Sequence, residues 1–400
     1  MKFASLGETA SLAKKIANAG SKSMVISDHF KYYGGVPFGH ISQEYLFSSS
    51  VMPLNSIIEF FGDEGSCKTS LVLALLDQLF LVPGGEGRLI NTENKLNLPL
   101  IQSLISPEAD AEARFKIDNC DSQESAQAVI TAYVKELRAK TFSKKRCDHM
   151  PHLFGIALDS FRVASETTVD SIESDGHAKK NYAVEANLWR SYMGSYTAMA
   201  SMLPMVWMIV NHLVEKDSAT GYGKVKDTGG GRALKFYETY RICVSKVKTN
   251  KSKSEVYTDL SLRTYKNSNG PVGNKIYPRI IYKSANKGEG GDEGTLSRTT
   301  VDWSVADALL LTGADIPRDA LRRDGVCCVK ESSKAGLYND EVLGLSGVPF
   351  SEIHQAIYSD PERLSMLRKH LDISTFKTIE QLWEDGWFYG AKPLFSGDDD

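Results

Sequence analysis

Four hundred residues, 42% hydrophobic and 24% charged, describe an ordinary globular chain of two or three domains with a sizeable core. The near balance of 47 basic and 50 acidic residues, for a formal net charge of −3, excludes nucleic-acid binding by bulk charge and leaves such contacts to local segments. No run approaches about 18 consecutive apolar residues, and Met1-Lys-Phe-Ala-Ser-Leu6 lacks the apolar stretch of a signal peptide, which predicts a cytoplasmic protein with no membrane partner. The six cysteines, at 67, 120, 147, 243, 327 and 328, show neither C-x-x-C spacing nor paired histidines. That argues against a structural zinc site or a disulfide framework and fits a reducing compartment.

In chain order, Leu6, Leu12, Ala13, Ile16 and Ala17 fall near helical spacing with Lys14 and Lys15 opposite, so residues 1–50 read as an N-terminal arm that opens with a short amphipathic helix. Such an arm docks on its own core or on a neighbouring subunit. From 51 to 283 apolar strand-like runs alternate with helical patterns, the mark of an α/β core with a mainly parallel sheet. Residues 284–300 are polar and glycine-rich and read as a flexible linker, and 301–400 read as a small α-rich C-terminal domain with helical segments at Val305–Thr312 and Ser351–Tyr358. Asp398, Asp399 and Asp400 close the chain as a solvated acidic end.

Inside the core, the apolar run Ser56-Ile-Ile-Glu-Phe-Phe61 leads into Gly62-Asp63-Glu64-Gly65-Ser66-Cys67-Lys68-Thr69-Ser70, and helical periodicity follows from Leu71 to Phe80. Strand, glycine-rich loop and helix together make a phosphate loop, which predicts a nucleoside triphosphate with Mg2+ on this chain. Backbone N–H groups at a helix start cradle phosphate, Lys68 reaches the β and γ phosphates, and the Thr69 hydroxyl ligates the metal. Cys67 stands where G-x-x-x-x-G-K-[ST] has glycine, so either its thiol turns away from the phosphate or the pocket is slightly open.

The strand Arg88–Asn91 runs into Glu93, a candidate to orient or deprotonate an attacking water at the C-terminal edge of the sheet. The apolar run His152–Asp159 reads as the strand whose terminal carboxylate, Asp159, holds Mg2+ through its water shell, with Ser160 in support. A third strand, Met205–Val210, ends in Asn211 and His212, placed to sense a γ-phosphate and report it to a long loop over 213–231. That loop carries Lys216, Lys224 and Lys226 with Gly221, Gly223, Gly229, Gly230 and Gly231, and Arg232 lies just beyond it. Glu215, Asp217 and Asp227 cancel its lysines, so its contacts lean on backbone amides and Arg232, and order is expected only on binding. The segment Arg241–Ser254 has five cations and no acid. It reads either as a basic edge strand that resists aggregation or as a path for duplex DNA.

Taken together, Met52–Leu71, Ile90–Asn97, Ala157–Ser160 and above all Gly229-Gly-Gly-Arg-Ala-Leu-Lys-Phe-Tyr-Glu-Thr-Tyr-Arg241 resemble the RecA family of DNA strand-exchange recombinases, and within it the phage UvsX-like members. The resemblance covers about 25–283. It implies a RecA-type P-loop ATPase core that forms a homo-oligomeric helical filament on single-stranded DNA, pairs it with duplex DNA, and meets single-strand-binding or loader proteins. Lys68, Glu93 and His212 then carry turnover, and the DNA loops fall at about 161–187 and 213–231. Lys266 matches the first of two lysines that the family sends to a neighbour's γ-phosphate, whereas the second position is Ser268, with Lys275 a possible stand-in. Two other readings share the pocket: a ring-forming ATPase or helicase, and a nucleotide-binding structural filament with little turnover.

Overall fold

The computed structural model describes residue 381 and residues 34–378, apart from 83, 94, 97, 108, 110–112, 142–153, 162–164, 166–181, 201–202, 218–223, 230, 252–254, 284–297, 313–329, 332–335 and 341–342. The expected helix in 1–20, most of the loop at 161–187, Gly221, Gly223, Gly230, nearly all of the 284–300 segment and the acidic end lie outside the described residues.

Short strands β1 (Gly34–Pro37) and β2 (Val51–Pro53) flank helix α1 (Ile41–Phe47). The central sheet then begins with β3 (Ser56–Gly62), followed by α2 (Lys68–Gln78), β4 (Glu86–Asn91), α3 (Leu98–Leu104), β5 (Phe115–Asn119), α4 (Gln123–Thr141), β6 (Phe154–Asp159), α5 (Tyr182–Ala200) and β7 (Met205–Asp217). After it come β8 (Lys224–Thr228), α6 (Gly231–Tyr237), β9 (Tyr240–Lys251), β10 (Glu255–Asn267), β11 (Lys275–Ile276), β12 (Arg279–Lys283) and β13 (Arg298–Asp302). The sheet runs β13-β12-β10-β9-β3-β7-β6-β4-β5. From β9 to β5 every pairing is parallel, and β10, β12 and β13 extend it antiparallel.

The central strands are apolar almost throughout because both faces are covered. Along β7, Val206, Met208 and Val210 belong to one buried cluster with α2, while Met205, Trp207 and Ile209 belong to a second cluster with α4 and α5. That alternation is the two-residue period of a strand, and covering both faces of a parallel sheet demands it. Helix α2 is apolar around most of its circumference, with Leu71, Val72, Leu73, Leu75 and Leu76 all buried.

The chain departs from the sequence expectations in three places. The stretch 213–231 is a hairpin at its base rather than an open loop: β7 continues to Asp217 and pairs antiparallel with β8 from Leu213↔Thr228 to Asp217↔Lys224. Alternating Val214 and Val225 with charged residues suits a two-stranded ribbon, a pattern the glycines conceal. The 284–300 segment ends in β13, which pairs with β12, so the chain returns to the central sheet before leaving it. Beyond it lie α7 (Ser304–Thr312), β14 (Lys330–Glu331), β15 (Leu337–Asp340), β16 (Leu345–Pro349), α8 (Ile353–Tyr358), α9 (Pro361–His370) and β17 (Lys377–Thr378). The C-terminal helices thus share their core with a three-stranded antiparallel sheet, β14-β15-β16, built from strands too short to stand out in sequence. Strand β17 returns to pair parallel with β1, tying the C-terminal domain to the start of the core.

Candidate nucleotide site

Parallel register carries the predicted residues to one edge. Gly62 at the end of β3 faces His212 of β7, Val210 of β7 faces Asp159 of β6, and Asp159 faces Asn91 of β4. The carboxyl ends of four adjacent strands therefore converge, the place where open α/β sheets bind ligands.

The phosphate loop needs unusual backbone at several points. A Cβ on Gly62 would lie 2.1 Å from the Val244 carbonyl oxygen, because β9 passes close by, and Gly65 has φ +68°. Cys67 also sits in the left-handed region, at φ 64°, which is the conformational reason glycine suits this position. Its thiol turns to the Tyr282 hydroxyl at 3.3 Å, so the side chain packs on β12. Cys67 caps α2 without a side-chain hydrogen bond and no acid lies in the first turn, leaving the leading N–H groups free to meet an anion.

Lys68 is 4% exposed, and its ammonium donates to the carbonyls of Gly62 (3.2 Å) and Asp63 (2.8 Å) and to Ser66 Oγ (3.3 Å). Burial pulls its pKa down, against the pull of Asp159, Glu93 and Asp63. Thr69 Oγ1 donates to Asp159 Oδ2 at 2.6 Å, and burial pushes the Asp159 carboxyl up despite that bond. Among the described residues Lys68 has no carboxylate within ion-pair distance, and Asp159 has no cationic side chain within it. An unmatched buried cation beside an unmatched buried carboxylate fits a phosphate and a divalent metal, each of which would supply the missing charge.

Glu93 lies at the next strand end. Its Oε1 accepts from Ser160 Oγ at 2.6 Å and is 2.7 Å from His212 Nε2, while Lys95 Nζ stands 3.5 Å from Oε2. The His212 hydrogen bond, with help from Ser160 and against burial, holds the Glu93 carboxyl down at about 2. Thr92 fixes this corner: its Oγ1 donates to the Ser160 carbonyl at 2.9 Å and accepts from Ser160 N at 2.8 Å. The Asp159–Ser160 peptide is cis.

Beneath the site runs a buried polar chain that sequence reasoning missed. Glu59, fully buried in β3, accepts from Asn211 Nδ2 (2.7 Å) and Arg241 Nε (2.5 Å). Arg241 also donates to Thr228 Oγ1 at 2.6 Å, and Asn211 Nδ2 to the Gly229 carbonyl at 3.2 Å. A single Glu inside an otherwise apolar strand run was the one available signal. The chain joins β3, the end of β7 beside His212 and the base of the β7–β8 hairpin.

The remaining candidates are spread out. Lys226 pairs with Asp63 of the phosphate loop at 2.8 Å, both exposed, and Lys246 of β9 brings its ammonium within 3.8 Å of the position a Gly65 Cβ would take. Lys216 and Lys224 lie on β7 and β8, where only their backbone is described; Gly229 and Gly231 flank the start of α6, and Arg232 is exposed on it. Glu64 and Ser70 sit at the loop and in the first turn of α2. Lys266 stands apart, donating to the carbonyls of Lys235 (2.7 Å) and Phe236 (3.1 Å) at the end of α6.

A strand–phosphate-loop–helix unit at the carboxyl edge of a parallel sheet, with Asp159 and Glu93 on neighbouring strand ends, defines a P-loop α/β protein of the RecA type. No protein-family model matches the chain. Curated relatives do: Protein RecA of Campylobacter fetus subsp. fetus (strain 82-40) is 25% identical over 230 residues, 58% of this chain and 56% of its own. Protein RecA of Caldanaerobacter subterraneus subsp. tengcongensis is 26% identical over 264 residues (65% and 70%), and that of Heliobacterium modesticaldum 24% over 275 (68% and 71%). The chain is thus similar to RecA proteins over about three fifths to two thirds of its length. It spans little more than half the length of the first of these relatives.

Proposed function

We propose that this chain is an ATP-dependent recombinase that forms filaments on single-stranded DNA and promotes pairing and strand exchange with duplex DNA. The observation that carries this reading is the shared contact of His212 and Ser160 with Glu93, one strand away from the Thr69–Asp159 pair and connected through Asn211 to the base of the hairpin. Lys68 and the α2 amides would hold the β and γ phosphates of ATP, and Thr69 and Asp159 would hold Mg2+, which neutralises phosphate charge when bound. Glu93, kept ionised by His212, serves as the base or water-orienting group.

A γ-phosphate competes for His212, which frees Glu93 and shifts Asn211 against the Gly229 carbonyl. Nucleotide state thereby reaches the hairpin that carries Lys224 and Lys226, with Arg232 beyond. Lys226, paired with Asp63, links the same hairpin directly to the phosphate loop. Cytoplasmic single-strand-binding or loading partners, and an origin among phage-type members, follow from the resemblance alone. The ring-ATPase and low-turnover filament readings share the pocket.

Hydrolysis of ATP with and without single-stranded DNA, together with electron microscopy using a slowly hydrolysed analogue, separates the three. Stimulated turnover and open helical filaments are expected, with turnover lost in Lys68→Ala and slowed in Glu93→Gln while ATP and DNA stay bound. Closed rings that unwind duplex support the helicase reading, and nucleotide binding without DNA stimulation supports the structural one.

A further inference from the structure

We infer that His40, Asp307 and His354 form a binding site for a divalent transition-metal cation that staples the C-terminal domain to the core. The three residues come from the N-cap of α1, the first turn of α7 and the first turn of α8, far apart in sequence, so no spacing pattern announces them. His40 Nδ1 lies 2.8 Å and His354 Nε2 3.2 Å from the same oxygen, Asp307 Oδ2, and the three ligand atoms all fall within 4.8 Å of one another. The Asp307 side chain is fully buried while the two rings are 25% and 27% exposed, so a cation can enter from solvent and end against a desolvated carboxylate.

Tetrahedral zinc with bonds of about 2.0–2.1 Å separates its ligands by about 3.4 Å, so the two contacts to Asp307 would lengthen by only about 0.2–0.6 Å. Its surroundings are already in place. Asp307 Oδ1 accepts from Ser42 N at 2.8 Å, the His354 ring stacks on Tyr358 at 4.4 Å, and the Gly39 carbonyl, 3.4 Å from His354 Nε2, is available as a fourth donor. Such outer contacts orient metal ligands.

Two further observations point to a ligand. No Lys or Arg among the described residues pairs with Asp307, and the neighbouring buried acid, Glu44, has its own bidentate partner in Arg368. Two direct neighbours of the cluster also carry buried polar atoms with no hydrogen-bond partner among the described residues: Ser42 Oγ, on the residue whose N–H donates to Asp307, and the Tyr358 hydroxyl, on the ring stacked against His354. Native cores rarely leave such atoms unmatched unless an ion or water completes them. Two imidazole nitrogens, a carboxylate and a carbonyl suit zinc or cobalt(II) rather than the hard-oxygen environment that suits magnesium.

The test uses the full chain, chelator-treated and without nucleotide, titrated with Zn2+ by calorimetry and with Co2+ by absorption. Wild type is expected to bind one equivalent with the ligand-field bands of a nitrogen and oxygen site, and to gain thermal stability. His40→Ala and His354→Ala should each weaken binding by more than the roughly 10–100-fold that second-shell changes cost. His354→Cys should keep the site and add a thiolate-to-cobalt charge-transfer band, a gain that misfolding cannot imitate. Wild-type protein that takes up no metal, alanine variants that bind as wild type does, or a His354→Cys protein without the new band would each overturn the assignment.

Discussion

At Cys67 the backbone adopts φ 64°, a conformation that costs an L-residue about 1–2 kcal/mol. A β-branched side chain fares worse there, and glycine escapes the cost but loses entropy in the unfolded chain. Cys67→Val is therefore expected to destabilise by about 1–2 kcal/mol while Cys67→Gly stays within about 0.5 kcal/mol of wild type, read from urea midpoints. Glu93 supplies a second residue-scale expectation. Its folded pKa of about 2 lies below the ordinary 4.5, so its stabilising contribution is complete above pH 4.5 and is lost as pH falls toward 2. The largest cause is the His212 contact. In His212→Ala the Glu93 carboxyl should titrate closer to its ordinary value, visible in carboxyl-carbon NMR shifts, whereas the wild-type group should stay ionised over the same range.

Element-scale behaviour is set by how β3, β7, β9 and the β7–β8 hairpin share charge. Arg241, 15% exposed, is the cation for fully buried Glu59 and also reaches Glu238 at 3.4 Å. Arg241→Met keeps the bulk and removes the charge, leaving Glu59 desolvated without a cation, for an expected loss of about 3–5 kcal/mol in equilibrium unfolding. Glu238 behaves in the opposite sense to Glu93. Burial, and then the neighbouring Glu59, raise its pKa, so it holds a proton in the folded protein that the unfolded chain releases. Its contribution is present below pH 4.5 and declines as pH rises. Glu238→Gln, which needs no proton to stay neutral, should be more stable than wild type at alkaline pH and gain little near pH 4.5. Equal thermal midpoints at both ends would remove Glu238 from this account.

For the whole molecule, the decisive contacts are those between the core and the C-terminal domain. Ile41 of α1 lies in the same buried cluster as Leu311, Tyr338, Leu343, Ile353 and Leu367, and β17 completes a sheet with β1. Arg368 of α9 reaches Glu44 of α1 through two 2.6 Å hydrogen bonds. Burial raises the Glu44 carboxyl and Arg368 opposes that rise. Removing the guanidinium in Arg368→Met should therefore cost about 3–5 kcal/mol and expose the C-terminal domain to limited proteolysis before the core unfolds. Concerted resistance of both parts would show that the apolar cluster alone holds them. No helix among the described residues is long and apolar enough to cross a membrane.

The parallel core and its phosphate loop were legible in sequence because both follow from local rules: two-sided burial makes strands continuously apolar, and a loop that receives phosphate needs glycines and a lysine at fixed spacing. The places of Asp159, Glu93 and His212 along one sheet edge were legible because each stands at or just beyond the end of an apolar run, and those of Lys68 and Thr69 because they open the helix after a glycine-rich loop. What tertiary structure decided was partnership. That Glu93 meets His212, that Glu59 meets Arg241 and Asn211, that Lys226 faces Asp63 and that residues 40, 307 and 354 converge all depend on parallel register and domain docking between segments distant in sequence. No local pattern records which strand ends become neighbours, and it is those neighbours that set each group's burial and charge.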